Sequence, residues 1–191
     1  MTDPLLLGSS SPYRRELLAR LGLPFTQASP SIDETPREGE GAAALVERLA
    51  REKAAALAPN HRGHWVLASD QAAALGDAIL GKPGNRAAAI EQLRRCSGRL
   101  VVFHTAVCLV RGEAQHRARD ETHVRFRELT DAEIERYVDH EEPFDCAGSF
   151  KAEGLGVALF ESLQSVDPTA IVGLPLITVA RLLREAGYRV P

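Results

Sequence analysis

The chain has 191 residues, of which 45% are hydrophobic, so it can form one sizeable core without requiring two independent domains. Its formal net charge of −3 excludes the basic excess that is typical of non-specific nucleic-acid binders. Three widely spaced cysteines, no membrane-spanning apolar run and no secretory leader together predict a cytoplasmic protein with no nucleic-acid or membrane partner.

Hydrophobic periodicity and turn residues predict helices and strands along the whole chain. The predicted strands are 5–7, 65–75, 79–80, 100–110, 119–127 and 157–160. The predicted helices are 12–21, 42–57, 86–95, 131–140 and one from about 176 to Gly187, with Ser11, Asn85 and Thr130 as N-caps. Residues 29–41 are predicted to be a loop. This mixture of helices, a hairpin and isolated strands indicates an α/β fold with a mixed sheet.

Asp70 carries the strongest chemical signal, because its carboxylate interrupts two apolar runs and needs a partner, a proton or a metal there. Lys53 falls on the apolar stripe of helix 42–57, so its ammonium either extends to solvent or points at an anion. Asp70 and Lys82 either form an ion pair that holds a hairpin, or carry chemistry. In the second case Asp70 binds metal or accepts a proton from water, and Lys82 offsets charge on departing phosphates.

A turn of three serines, Ser9–Ser11, lies between the first strand and the first helix, where backbone amides and the helix dipole favour phosphate. Arg14 follows at once, and a guanidinium suits phosphate oxygens. The alternative is an ordinary N-cap with surface arginines. Glu34 in the loop 29–41 is either solvated or one of the few carboxylates that a magnesium-type ion requires.

Glu153 lies in a glycine-containing segment that either lets backbone approach a ligand or is a bare turn. The six histidines show no metal-ligand spacing, and Cys146 has no base beside it in sequence, so a covalent mechanism is disfavoured. An acid among bases and anion-binding amides points to hydrolysis of a phosphoanhydride.

Taken together, these segments resemble the Maf family of nucleotide pyrophosphatases, and the likeness covers residues 1–191 as a single Maf-like domain. The matching pieces, in order, are Ser9–Arg15, Asp33-Glu34, Arg51–Ala54, Ser69–Gln71, Gly81–Pro83, Ala147–Gly154 and Val172–Pro175. The resemblance implies a Maf/ITPase-like fold, with an elongated mixed β-sheet flanked by helices and two lobes around a central cleft. It also implies hydrolysis of a nucleoside triphosphate to the monophosphate and pyrophosphate with Mg²⁺ or Mn²⁺.

Family members that prefer thymidine or uridine triphosphates typically have other residues where this chain has Tyr13, Gln71 and Glu153. The chain is similar instead to the branch that acts on 7-methyl-GTP. The resemblance implies that Asp70 is the proton acceptor and that these three residues set base preference. Methylation at N7 makes guanine cationic, so Tyr13 can stack on it and Glu153 can accept hydrogen bonds from guanine N1 and N2.

The resulting hypothesis is metal-assisted attack of water on the α-phosphorus of 7-methyl-GTP. The expected phosphate ligands are Ser9, Ser10, Ser11, Arg14, Lys53 and Lys82, and the expected metal ligands are Glu34 and Asp70. The alternatives are a dTTP/UTP pyrophosphatase and a non-catalytic regulator of septum formation that binds a partner protein. The sequence leaves a homodimer open.

Overall fold

One mixed β-sheet organises the computed structural model, which describes residues 3–191. Its strands are β1 (Leu5–Gly8), β2 (Phe25–Ala28), β3 (Trp65–Leu75), β4 (Ala78–Leu80), β5 (Leu100–Arg111), β6 (Ala114–Phe126) and β7 (Phe160–Ser165). The strand order is β2-β1-β3-β5-β6-β7, and β4 pairs with β3 outside this path. Strands β2, β1 and β3 are parallel, whereas the other pairs are antiparallel. The mixed α/β sheet predicted from the sequence is confirmed.

Five helices flank this sheet in the described part of the chain. They are α1 (Pro12–Ala19), α2 (Ala42–Leu57), α3 (Arg86–Cys96), α4 (Asp131–Glu141) and α5 (Leu176–Glu185). Side chains alternate between the two faces of a strand, so β1 contributes to two cores. Leu6 packs with α2 on one face, while Leu5 and Leu7 pack with α1 and α5 on the other.

A separate core forms at the other end of the sheet, where α3 and α4 pack around Phe103, Phe126 and Phe150. Strand β3 is long enough to serve both ends: Leu67 lies in the core under α1 and α5, and Leu75 lies in the core beside α3. The predicted arrangement of two lobes is therefore present, and Asp70 sits midway along the strand that joins them.

Two edge strands differ from the sequence expectation. Residues 157–160 are not a strand, because Leu155–Leu159 form a 3₁₀ turn and the strand β7 begins only at Phe160. Strand β2 was not predicted at all. Both strands lie at the ends of the sheet and have no buried residues, so neither shows the apolar alternation that marks a half-buried strand.

Among the described residues, none of the helices combines the length and the apolar character that crossing a bilayer requires.

The start of α4 is fixed by the predicted capping box. Thr130 Oγ1 accepts from the Glu133 amide, and the Glu133 carboxylate accepts from the Thr130 amide at 2.8 Å. Thr130→Ala should lower the free energy of unfolding by about 1 kcal/mol, because the Glu133 amide loses its acceptor. Thr130→Ser keeps the oxygen and should stay close to wild type. Urea denaturation measures both, and equal midpoints for Thr130→Ala and wild type would contradict the assignment.

Candidate active site

A cleft of about 460 Å³ opens between the two lobes. Its volume suits a small-molecule ligand. Every residue that the sequence analysis assigned to catalysis or binding lines it: Ser9, Ser10, Ser11, Tyr13, Arg14, Glu34, Lys53, Asp70, Gln71, Lys82 and Glu153. The folded chain thus brings together segments that are more than a hundred residues apart.

The centre of the cleft is a lysine between two carboxylates. Lys53 Nζ lies 2.6 Å from Asp70 Oδ1 and 2.9 Å from Glu34 Oε1. The side chains of Lys53 and Asp70 are each 8% exposed, whereas that of Glu34 is 56% exposed. Of the two readings of Lys53, the structure therefore selects the one in which the ammonium points at an anion. The alternative pairing of Asp70 with Lys82 is wrong, because Asp70 pairs with Lys53.

Burial raises the pKa of the Asp70 carboxyl above its ordinary value, since desolvation disfavours the charged form. The ammonium of Lys53 and the guanidinium of Arg14 oppose this shift, and the carboxylate of Glu34 adds to it. Asp70 is therefore a stronger base than a solvated aspartate. Its charge is also stabilised by two cations, so a carboxylate can persist in this apolar strand.

The loop that carries Glu34 is held to α2 by Arg48, which sequence reasoning missed. Arg48 is 7% exposed, and its guanidinium donates to Glu40, to Glu52 and to the Thr35 carbonyl. A buried guanidinium with several acceptors restrains the segment around it. This tether reaches the residue next to Glu34, and it keeps that carboxylate at the mouth of the cleft.

The serine turn follows β1 directly. Ser9 is buried and its Oγ accepts from the Ser11 amide at 3.1 Å, while Ser11 is the N-cap of α1. Arg14, one turn into α1, donates to the Ser69 carbonyl at 2.8 Å and so reaches the strand of Asp70. Burial lowers the pKa of Arg14, and Asp70 and Glu34 oppose that shift. Arg14 nevertheless keeps its charge, because the pKa of a guanidinium is so high.

Lys82 is exposed, and it follows β4 at the rim of the cleft. In the part of the chain that the structure describes, Lys82 forms no ion pair, so its charge is available to a ligand.

Gln71 is fixed by its amide nitrogen. Nε2 lies 2.8 Å from the Ala170 carbonyl, 3.0 Å from the Ile171 carbonyl and 3.0 Å from Thr105 Oγ1. These acceptors identify the nitrogen side of the amide. The two N–H groups of Gln71 are therefore used within the protein, and what Gln71 retains for a ligand is an acceptor oxygen.

The opposite end of the cleft is acidic. Tyr13, Glu153 and Asp145 line it together, and burial raises the pKa of the Tyr13 hydroxyl, with the carboxylates of Glu153 and Asp145 adding to the shift. Neither carboxylate forms an ion pair within residues 3–191. The neighbouring Lys151 partly opposes their effect on Tyr13, although its ammonium donates to the Glu141 carbonyl.

Asp145 was not identified from the sequence. It lies two residues before the segment Ala147–Gly154, so its proximity to a recognised motif was the available signal. Cys146, also in the cleft, donates its thiol to Asp145 Oδ1 at 3.4 Å.

Asp70 and Glu34 fit a divalent cation only in part. Across the described residues, no three His, Cys, Asp or Glu side chains form a group that could hold an ion. Two carboxylates that converge on a single ammonium are a suitable donor set for a hard ion whose other ligands are phosphate oxygens and water. The protein alone thus supplies part of a metal site, and a bound triphosphate could complete it.

The family follows from a comparison with known proteins. The protein-family model described as "Maf-like protein" matches residues 4–186.

The chain belongs to the Maf family.

Its curated relatives include two proteins named 7-methyl-GTP pyrophosphatase. The one from Xanthomonas oryzae pv. oryzae is 56% identical over 100% of both chains. The one from Cupriavidus metallidurans is 54% identical over 96% of this chain and 94% of the relative. Among solved structures, the Staphylococcus aureus Ham1 protein matches with a TM-score of 0.55 at 13% identity, covering 97% of this chain and all of that one. The resemblance found in the sequence is confirmed, and the fold is shared beyond the family.

The two neighbours of Asp70 predict opposite shifts of its pKa. Lys53→Gln removes a positive charge, so the Asp70 carboxyl should titrate at higher pH than in wild type. Glu34→Gln removes a negative charge, and the same carboxyl should titrate at lower pH. Carbon-detected NMR titration of Asp70 measures both. Shifts of the same sign in the two variants would contradict the arrangement of charges.

Proposed function

We propose that this protein hydrolyses 7-methyl-GTP to 7-methyl-GMP and pyrophosphate. The observation that carries the proposal is that the cleft holds two separate groups of charges, one in which Arg14 lies near the Asp70–Lys53 pair and one in which Glu153 and Asp145 lie near Tyr13. A nucleotide whose base is cationic and whose tail is polyanionic complements both ends. The names of relatives that are 54–56% identical over nearly the whole chain support the same substrate.

The triphosphate would lie over the turn Ser9–Ser11, with its charge offset by Arg14, Lys53 and Lys82. Asp70 would accept the proton of the attacking water, since a carboxylate of raised pKa is a better base. The water oxygen forms a bond to the α-phosphorus, and the bond to the α–β bridging oxygen breaks. Pyrophosphate then leaves, and no covalent enzyme intermediate forms.

Mg²⁺ or Mn²⁺ would be held by Glu34, Asp70 and phosphate oxygens, where it would polarise the phosphoryl group and offset the charge on pyrophosphate. Lys53 contacts both carboxylates and would keep them ionised and oriented. Its ammonium is therefore an organiser of the site as well as a phosphate ligand.

At the other end, the Tyr13 ring would stack on the methylated base, a cation–π contact worth about 0.5–2 kcal/mol. Glu153 would accept from the guanine N1 and N2 donors, and Gln71 would offer its oxygen. Asp145 would add a second negative charge near the cationic ring. Thymine and uracil lack this charge and this donor pattern, which argues against a dTTP/UTP pyrophosphatase.

The reported relatives are named as pyrophosphatases, and they support an enzyme rather than a non-catalytic regulator of septum formation. The proposal keeps the cytoplasmic location expected from the sequence. Cys96, Cys108 and Cys146 are all free, as is typical of a reducing compartment. The single domain stays a prediction, and a homodimer stays open.

Asp70→Asn should lower kcat for 7-methyl-GTP by about 10²–10⁴-fold, because the proton acceptor is lost. Nucleotide binding should remain measurable. Pyrophosphate release from a panel of nucleotides, with and without Mg²⁺ or Mn²⁺, tests the reaction. Asp77→Asn, at an exposed turn outside the cleft, is the matched control. No release from any nucleotide would reject the enzyme, and near-normal turnover by Asp70→Asn would reject the general base.

Asp145→Asn should reduce the preference for 7-methyl-GTP over GTP by about fivefold, since one charge near a cation in water is worth about 1 kcal/mol. Glu153→Gln should reduce it further, because an acceptor is lost with the charge. The measurement is kcat/KM for the two nucleotides, with Glu161→Gln on exposed β7 as the control. Added salt should also weaken the preference. An unchanged ratio in both cleft variants would refute the charge argument.

A further inference from the structure

Two carboxylates are buried in the described part of the chain, and the proposed mechanism uses only Asp70. The second, Asp167, is 1% exposed and does not line the cleft. A buried charge is costly unless it is fully hydrogen-bonded, so its partners indicate what it holds in place.

The hydrogen-bond donors to the Asp167 carboxylate belong to the segment that follows it. Oδ1 accepts from the Thr169 amide at 3.0 Å and from the Thr169 hydroxyl at 2.7 Å. Oδ2 accepts from the Ile177 amide at 2.6 Å, near the start of α5. The residue before α5, Pro175, makes no side-chain cap bond, so the carboxylate of Asp167 serves as the remote cap of that helix.

Thr169 closes the same segment into a loop. Its hydroxyl accepts from the Leu176 amide at 2.8 Å and lies within hydrogen-bond distance of the Leu174 carbonyl and of Asp167. One hydroxyl has one proton, so it donates to one of these two acceptors at a time. Residues 170–173 are thereby held between two anchored ends.

The inner side of this loop contacts the residues that flank Asp70. The Ala170 and Ile171 carbonyls accept from Gln71 Nε2, and the Gly173 carbonyl accepts from Ser69 Oγ at 2.7 Å. Ser69 is fully buried. Each neighbour of Asp70 in β3 is therefore bonded to the same loop.

Gly173 also fits the loop against Arg14. Its φ of +109° lies in the region that favours glycine, and an added Cβ would lie 3.1 Å from Arg14 Nε. Arg14 in turn donates to the Ser69 carbonyl. The loop thus meets the phosphate end of the cleft through Arg14 and the base end through Gln71.

We propose that Asp167 is a positioning residue for the reaction: it sets the loop 170–173, which fixes Ser69 and Gln71 on either side of Asp70. This inference rests on the proposed function, because it assigns Asp167 a role in that same site. Asp167 touches no substrate and acts only through the loop. A residue that merely capped α5 would affect folding without affecting substrate preference.

The test compares two variants with a control in the same helix. Asp167→Asn keeps the shape of the side chain, but its new NH₂ group must face the backbone N–H of Thr169 or of Ile177. Thr169→Val removes the hydroxyl at nearly constant volume, and Thr169→Ser restores it. Val179→Ala removes buried methyl groups from α5 and leaves every hydrogen-bonding group of the loop in place. All are assayed at a temperature at which circular dichroism shows each to be folded.

Asp167→Asn and Thr169→Val should lower kcat/KM for 7-methyl-GTP by about 10–100-fold, as a small misplacement of catalytic groups does, and should lower the preference over GTP. Thr169→Ser and Val179→Ala should keep wild-type values of both. If Asp167→Asn and Thr169→Val are as active and selective as wild type, or no more affected than Val179→Ala, the inference is overturned.

Crystal structures of the variants separate this failure from failure of the proposed function. If wild type releases no pyrophosphate from any nucleotide, the proposed function is wrong. The crystal structures still test whether Asp167 positions the loop. Loss of the contacts from Gln71 Nε2 and Ser69 Oγ to the loop in Asp167→Asn supports positioning. Retention of both contacts at wild-type distances overturns it.

Discussion

The structure depends on one buried ammonium that is shared by two carboxylates. Lys53 and Asp70 come from a helix and a strand that are apolar around them, and either charge alone would be costly there. Their pairing requires α2 to cross β3 in a fixed register. The contact of Lys53 with Glu34 also requires the loop of Glu34 to stay close, and Arg48 from the same helix holds that loop. The geometry of the cleft is thus a consequence of how these charges are satisfied.

The two lobes give the cleft two electrostatic characters. The lobe of β1 and α1 contributes a helix start, serine hydroxyls and Arg14, all suited to anions. The segment after α4 contributes Asp145 and Glu153 without a paired cation, and this suits a positive group. Strand β3 runs through both lobes and carries Asp70 at the boundary. The reacting phosphorus of a bound nucleotide would have to lie near that boundary.

The sequence predicted the interior of the fold better than its edges. The helix α2 was found from its apolar stripe, and the strands β3 and β5 were found from long apolar or β-prone runs. The edge strands β2 and β7 have exposed side chains, so their pairing depends on the neighbouring strand and leaves no local pattern. A strand was wrongly expected at 157–160 because this apolar run forms most of a 3₁₀ turn, which ends where β7 begins.

For the site, motifs near turns selected the serines, Glu34, Lys82 and Glu153, whereas Lys53 and Asp70 were selected as charges within an apolar helix and an apolar strand. Arg48 and Asp167 escaped detection for a different reason. Each acts through backbone groups eight or more residues away, Thr35 for Arg48 and Ile177 for Asp167. Such contacts have no signature in the order of residues and appear only when the chain is folded.

The carboxylates at the end of the cleft that would hold the nucleobase affect the thiol of Cys146, which lies there. Burial raises the pKa of Cys146 to about 12, and the adjacent Asp145 carboxylate contributes to the shift. At neutral pH the sulfur is therefore almost entirely protonated, and a thiol is a far poorer nucleophile than a thiolate. Burial and a carboxylate that would attract a methylated purine thus both keep this thiol in its less reactive form.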